Sequence, residues 1–140
     1  MPSPVRELHF TADLANLAIV AEFVASGCER WRIDEDNCYD IQLAIDEAVT
    51  NIIEHAYGGG EGEIVLRCWV AEHHFYVKLQ DWGKAFDPAK ASLPTTTGPL
   101  AERKSGGLGI YFMRKLMDEV HFEFTGAGNI LQMVKYNVAP

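Results

Sequence analysis

The stretch LAIDEAVTNIIEHAYGGG, residues 43–60, carries three polar side chains spaced four residues apart: Glu47, Asn51 and His55. Apolar residues recur between them at helical spacing, which predicts an amphipathic helix. Because four residues make slightly more than one helical turn, the three polar groups should form one stripe along this helix. A carboxylate in such a stripe can act as a base, and a carboxamide oxygen can bind a hard cation such as Mg²⁺.

Asp81 is a second carboxylate in an unusual place. It ends the segment FYVKLQD with the same parity as Phe75, Val77 and Leu79, so it is predicted to point toward the apolar layer. A carboxylate there costs free energy unless donors compensate it. Two interpretations remain open: Asp-Trp-Gly is a simple turn whose N–H groups bind Asp81, or Asp81 accepts a hydrogen bond from a ligand.

A glycine-rich segment, SGGLGIYFMRKL, is predicted to open another helix. Gly106, Gly107 and Gly109 lie at its start, where free backbone N–H groups and the helix dipole favour phosphate. Glycine also serves tight turns, so this feature alone is weak evidence. The preceding Lys104 favours an anion, although basic residues in loops are often only solvated. A nucleotide carrying magnesium would satisfy all three features at once.

The elements that must position these groups can be predicted from periodicity. Their order is strand, helix, helix, two strands, a long non-periodic loop, helix and two strands. This order predicts an α/β two-layer sandwich, with a mixed, mostly antiparallel sheet and helices on one face. The predicted bounds are a strand at Val5–Phe10, a helix capped by Thr11 and ended by Ser26-Gly27, a helix from about Asn37 to Tyr57, strands at 63–70 and 75–81, a helix at about Leu108–Glu119 with Leu108, Phe112, Leu116 and Met117 on one side, and a last hairpin around 126–129.

Length and composition bound the class of protein. At 140 residues the chain is predicted to form one domain, 1–140. Its net charge of −8 argues against direct nucleic-acid binding and against an anionic membrane as a partner. No apolar run is long enough for a transmembrane helix, and no secretory signal is recognisable. Three cysteines without a CxxC pair suggest reduced thiols and a cytoplasmic protein.

Two metal-site interpretations are disfavoured. His73 and His74 are adjacent, so their side chains should point apart, and no Cys or carboxylate lies at ligand spacing. A metallohydrolase built on Glu47, Asn51 and His55 is equally weak, because zinc sites rarely use Asn.

The motifs together resemble those of the GHKL (histidine kinase-like) ATPase superfamily. Glu47-x-x-x-Asn51-x-x-x-His55-Ala56-Tyr57 resembles its N-box, Asp81-x-Gly83 resembles its first glycine box, and Gly107-x-Gly109 resembles its second. The most similar family is that of the small stand-alone anti-sigma-factor serine-protein kinases of bacterial partner-switching systems. The resemblance extends from the helix at 37 to the last hairpin and implies a Bergerat-type ATP-binding fold.

The resemblance also implies roles for individual residues. Asn51 would hold Mg²⁺ that bridges the ATP phosphates, and Glu47 would act as general base toward the acceptor hydroxyl. Asp81 would accept a hydrogen bond from the adenine amino group, and Gly83 would let the backbone approach the base. His55 would line the phosphate side or brace the N-box.

A lid over the phosphates would be formed by residues 84–106. The phosphate-side residues implied by the resemblance are Lys104, Gly106, Gly107, Leu108 and Gly109. This chain departs from the superfamily pattern at two positions: Ala85 stands where a second glycine often follows the first box, and Asn129 stands where a threonine often precedes the last strand.

The function implied by the resemblance is that of an ATP-dependent serine/threonine-protein kinase that is also an anti-sigma factor. It would sequester a sigma factor and phosphorylate an anti-sigma antagonist protein, as a cytoplasmic homodimer. A complete sensor histidine kinase is not expected at this length. The alternative is a nucleotide-gated protein-binding module without significant kinase activity, whose nucleotide state selects its partner.

Overall fold

A computed structural model of the chain describes residues 2–85 and 106–140, and for 106–109 it describes the backbone only. The elements follow the predicted order. A 3₁₀ turn at Leu14–Asn16 precedes the first helix, and a π-helical turn at Ile52–Ala56 follows the second. The strands and helices are β1 (Arg6–Thr11), α1 (Leu17–Arg30), α2 (Glu35–Asn51), β2 (Glu63–Ala71), β3 (His74–Asp81), α3 (Gly106–Leu116), β4 (Glu119–Thr125) and β5 (Gly128–Lys135).

The five strands form one sheet in the order β1-β2-β3-β5-β4. This confirms the predicted mostly antiparallel sheet, and all four pairings between the described strands are antiparallel. Inward-facing strand residues and the buried sides of the three helices form one continuous core. The opposite face of the sheet carries charged groups such as Glu7 and Arg67, which bond each other. The helices therefore cover one face only, as predicted.

The first helix differs from its prediction at both ends. Thr11 is the last residue of β1 and caps no helix. Asp13 caps the 3₁₀ turn, where its carboxylate accepts from the backbone N–H of Ala15 at 2.9 Å, and Asn16 at the N-cap of α1 makes no side-chain capping bond. Gly27 does not end α1, which continues to Arg30. A Cβ at Gly27 would lie 2.6 Å from Nη1 of Arg6, so this glycine lets the Arg6 side chain of β1 pack closely against the helix.

The second helix begins as its acidic segment predicts. The Asp34 carboxylate accepts from the backbone N–H of Asn37 at 2.8 Å, and Glu35 and Asp36 place negative charge in the first turn. One side of the helix is fully buried, while the other is polar. The buried side consists of Ile41, Ala44, Ile45, Ala48 and Val49. No helix in the described part of the chain is long and apolar enough to cross a membrane.

The third helix is rotated relative to its prediction. Ile110, Met113 and Met117 are buried, whereas Phe112, predicted on the core side, is 41% exposed. Positions 110, 113 and 117 follow the helical repeat, and 112 lies about 100° away from 113. The helix spans Gly106–Leu116, and the Lys135 ammonium donates to the Leu116 carbonyl at its end.

Candidate functional site

Two residues predicted for the site, Asn51 and Asp81, line the same cleft. The cleft lies between α2, α3 and the sheet, and holds about 380 Å³ of space out to its mouth. Asn129, at the start of β5, is its third polar lining residue. Its other walls are apolar and consist of Ala48, Ile52, Ala56, Met113, Phe122, Phe124, Ile130 and Leu131. Apolar walls with a few fixed polar groups are typical of small-molecule sites.

A larger open groove lies elsewhere, between β1 and the glycine turn after α2. It holds about 1780 Å³ of space out to its mouth and includes His9, Asp13 and residues 59–63. None of the sequence-predicted site residues whose side chains the structure describes lines it. Size alone therefore does not identify the site. The smaller cleft is the one lined by two of the predicted site residues, Asn51 and Asp81.

The Asp81 carboxylate is 2% exposed and bonded on one oxygen. Its Oδ1 accepts from the backbone N–H of Gly83 at 2.9 Å and from Nδ2 of Asn129 at 2.9 Å. Burial raises the pKa of Asp81, and these two hydrogen bonds oppose that rise. Both sequence interpretations are therefore compatible with the geometry: Asp81 closes a local turn through Oδ1, and it also faces the cleft.

Gly83 packs directly against the end of the second helical segment. A Cβ at this position would overlap the carbonyl oxygen of Ala56. The next residue, Lys84, donates its backbone N–H to that same oxygen at 2.6 Å. The Tyr57 hydroxyl accepts from the backbone N–H of Trp82 at 2.8 Å. Gly83 thus allows a backbone-to-backbone contact that fixes the chain just after Asp81.

The predicted polar stripe changes direction at its last member. Glu47 and Asn51 lie one regular turn apart in α2, as predicted. After Asn51 the backbone forms a π turn, in which the Tyr57 N–H bonds the Ile52 carbonyl five residues earlier. A π turn holds more residues than an α turn, so His55 does not continue the stripe in line. His55 is half-buried and does not line the cleft with Asn51 and Asp81.

The side chain of Asn51 fits the role of a cation ligand. Its Nδ2 is buried and has no hydrogen-bond partner within the described residues. The carboxamide can therefore rotate by 180° and present its oxygen without breaking an internal hydrogen bond. Among the residues described, no group of three His, Cys, Asp or Glu side chains could hold a metal. Mg²⁺ suits such a place, because it is commonly held by one or two protein oxygens together with phosphates.

Glu47 lies one turn before Asn51 and is half-buried. Burial raises the pKa of this carboxyl, and the neighbouring charges of Asp46 and Glu54 raise it further. A raised pKa makes a carboxylate a stronger base, as proton abstraction from a hydroxyl requires.

The glycine-rich segment forms the first turn of α3. Gly109 lies one turn before Met113, which lines the cleft, so the two positions share one helix face. The first backbone N–H groups of a helix have no intrahelical acceptors and can bind an anion. Gly106, Gly107 and Leu108 belong to this turn, while Lys104 and most of the predicted lid, residues 86–105, lie outside the described residues.

Sequence analysis did not count Asn129, Tyr57 or Ala56 among the site residues, although it quoted Ala56 and Tyr57 within the N-box and named Asn129 as a departure from the superfamily pattern. Asn129 could have been found by the parity argument used for Asp81, because it alternates in phase with the inward-facing Leu131 and Met133 of β5. The contacts of Tyr57 and Ala56 depend on the π turn, which no local feature of the sequence predicts.

His73 and His74 are engaged by the end of the chain. The His73 ring nitrogen Nδ1 lies 3.1 Å from the Ala139 carbonyl oxygen, and Nδ1 of His74 accepts from the backbone N–H of Asn137 at 3.0 Å. These contacts anchor the C-terminal segment at the β2–β3 turn.

Comparison with known proteins gives consistent matches. A family described as the histidine kinase-like ATPase domain matches residues 10–135. An anti-sigma F factor of Caldanaerobacter subterraneus subsp. tengcongensis is 33% identical over 132 residues, which cover 93% of this chain and 92% of the relative. A serine-protein kinase RsbW of Bacillus velezensis is 32% identical over 135 residues, covering 93% and 84% of the two chains.

A solved structure has the same fold. The crystal structure of the RsbU and RsbW domains of Rv1364c from Mycobacterium tuberculosis superposes with a TM-score of 0.70 at 18% identity. The match covers 96% of this chain and 32% of that one. At this identity the likeness speaks for the fold alone.

Proposed function

Because the chain belongs to the histidine kinase-like ATPase family, we propose that it is an ATP-dependent serine/threonine-protein kinase that is also an anti-sigma factor. It phosphorylates an anti-sigma antagonist protein and binds a sigma factor. The names of its relatives, anti-sigma F factor and serine-protein kinase, support both activities. The observation that carries the proposal is that Asn51 on α2 and Asp81 on β3 line one cleft.

Asp81 recognises the base. Its buried carboxylate is an acceptor at the end of an otherwise apolar cleft, and adenine offers an amino group of two donors on an apolar ring. Gly83 lets the backbone beside this carboxylate pack against the backbone of Ala56, which fixes the position of Asp81.

Glu47 and Asn51 serve the phosphate end. Asn51 would hold Mg²⁺, which would supply positive charge to neutralise the phosphates. Glu47 accepts the proton of the serine or threonine hydroxyl as its oxygen attacks the γ-phosphorus, and ADP leaves. The backbone N–H groups at 106–109 bind phosphate oxygens, with Lys104 adding positive charge. His55 braces the helix end that carries Asn51.

The kinase proposal is tested by phosphate transfer to a cognate antagonist protein in the presence of ATP and magnesium. Removing a general base costs about 10²- to 10⁴-fold, so Glu47→Gln should lose transfer to that extent and still bind ADP. The exposed Glu29→Gln is the matched control and should retain full activity. Tight nucleotide binding by the wild type with no transfer to any cognate antagonist would instead support the nucleotide-gated binding module.

The proposal includes a cytoplasmic homodimer built from a single domain, 1–140, with residues 84–106 as the lid. The support is the family resemblance, together with the position of Lys84. It is the first residue of the 84–106 segment, and its backbone N–H donates to the Ala56 carbonyl. Sedimentation velocity should give a mass of two chains. Proteolysis within 84–106 should slow when ADP and magnesium are added, and an unchanged cleavage rate would contradict the lid.

A further inference from the structure

We propose that Asn129 determines which nucleobase the cleft accepts, by holding Asp81 as a pure hydrogen-bond acceptor. The cleft then takes a purine with a 6-amino group and rejects one with a 6-oxo group. This inference rests on the proposed nucleotide site. Asn129 lies directly opposite Asp81 in the antiparallel β3–β5 pairing, so the backbone register itself places the two side chains together.

The orientation of the Asn129 amide is fixed by two acceptors. Its Nδ2 donates to Oδ1 of Asp81 at 2.9 Å and to the backbone carbonyl of Lys84 at 2.9 Å. A carboxamide nitrogen has two protons, and each has an acceptor here. Rotating the amide by 180° would turn its oxygen toward two other oxygens. Asn129 is 8% exposed, so water cannot readily replace these bonds.

The hydrogen bond that Asn129 donates determines whether Asp81 is ionised. Burial raises the pKa of this carboxyl, and the hydrogen bond from Asn129 is the larger of the two contacts that lower it again. An ionised carboxylate only accepts hydrogen bonds, whereas a protonated one can also donate. The ionised form therefore pairs with an amino group and repels a carbonyl at the same place. A protonated Asp81 would accept a purine with either an amino group or a carbonyl at this place.

The surroundings contribute little competing charge. Among the described residues that line the cleft, Asp81 is the only titratable one, and α3 and β4 present Met113, Phe122 and Phe124 to it. The nearby Tyr57 hydroxyl has a raised pKa and remains neutral around pH 7. Glu47 on α2 also has a raised pKa, so its titration must be separated from that of Asp81.

The test compares two residues of the same shape at position 129. Threonine supplies one proton to Asp81, and valine supplies none. Binding of ADP and of inosine diphosphate is measured by calorimetry between about pH 6 and about pH 8. Gln132→Leu is the matched control, since this amide lies on the same strand and faces the outer side of the sheet. Each titration is repeated in the Glu47→Gln background.

The wild type, Asn129→Thr and Gln132→Leu should prefer ADP throughout this range. In Asn129→Val the ratio of the two affinities should fall about tenfold, the loss expected for a hydrogen bond to a charged group. The ratio should fall further toward lower pH. Without the hydrogen bond from position 129 the pKa of Asp81 is higher, so more of the carboxyl is protonated there. A merely structural role would weaken both nucleotides in parallel and without pH dependence.

Parallel loss in Asn129→Val overturns the inference and leaves the nucleotide site standing. Failure of the wild type to bind either nucleotide overturns the proposed function itself. If Asn129→Val does not fold, carbon-13 NMR of the wild-type Asp81 carboxyl decides. The signal of an ionised group between about pH 6 and about pH 8 supports the inference, and a titration within that range overturns it.

Discussion

At the scale of single residues, burial of three acidic side chains on α2 and in the cleft opposes folding when they are ionised. Burial raises the pKa of Asp46, Glu47 and Asp81 above their ordinary values. A group whose pKa is higher in the folded state stabilises the fold below its unfolded pKa, and that stabilisation is lost as the pH rises through the folded pKa. In their ionised form these carboxylates therefore lower the stability of the fold.

Glu47→Gln should accordingly raise the free energy of unfolding at about pH 7. The gain should disappear near about pH 3, below the ordinary pKa of a glutamate, where the carboxyl is protonated in both states of the wild type. Urea denaturation at the two pH values measures it, with the exposed Glu29→Gln as control. A gain that is equal at both pH values would contradict burial of charge as the cause.

At the scale of elements, the π turn and the segment after β3 were the least predictable parts. Apolar periodicity predicted one helix to Tyr57, and it could not show the π turn because Ile52, Ile53 and Ala56 are buried in either geometry. The glycine in Asp-x-Gly was recognisable. Its contact with the Ala56 carbonyl was not, because that contact joins two elements distant in sequence.

Gly83→Ala should destabilise the protein by about 1–3 kcal/mol, the usual cost of overpacking, because its Cβ would overlap the backbone of Ala56. Nucleotide binding should weaken with it, since the added Cβ would displace the backbone N–H that donates to Asp81. Thermal or urea denaturation measures the first effect. Gly126→Ala, where an added Cβ meets nothing within 4 Å, should leave stability unchanged. Equal effects of the two substitutions would rule out the contact as the cause.

At the scale of the whole molecule, element order and layer arrangement were predictable because period and parity are local properties. The pairing of Asp81 with Asn129 was not, since it requires β5 to lie beside β3 across the intervening α3 and β4. The path of the chain end was also not predictable. The His73 carbonyl accepts from the backbone N–H groups of Val138 and Ala139 at 2.9 and 3.0 Å, at the opposite end of β3 from Asp81.

Val138→Ala should therefore separate stability from binding. Val138 is 8% exposed, and losing its two methyl groups should cost about 1–2 kcal/mol. ADP affinity should remain unchanged, because the cleft lies at the other end of the strand. Urea denaturation and calorimetry together measure the two effects. The matched control is Val5→Ala, a valine that is 55% exposed and should change neither quantity. An equal loss in both variants would contradict the anchoring role.

Because of the π turn, the number of residues between Ile52 and Ala56 affects how the following segment is held. A segment wound this way holds surplus backbone, so deleting one residue between Ile52 and Ala56 would let it rewind as ordinary helix. Such a shortened chain would keep helix α2, which carries Glu47 and Asn51. It would move the Ala56 carbonyl oxygen away from Lys84, however, and so break the hydrogen bond that holds the segment after Asp81. Counting residues in this turn is therefore as informative for comparing relatives as matching their side chains.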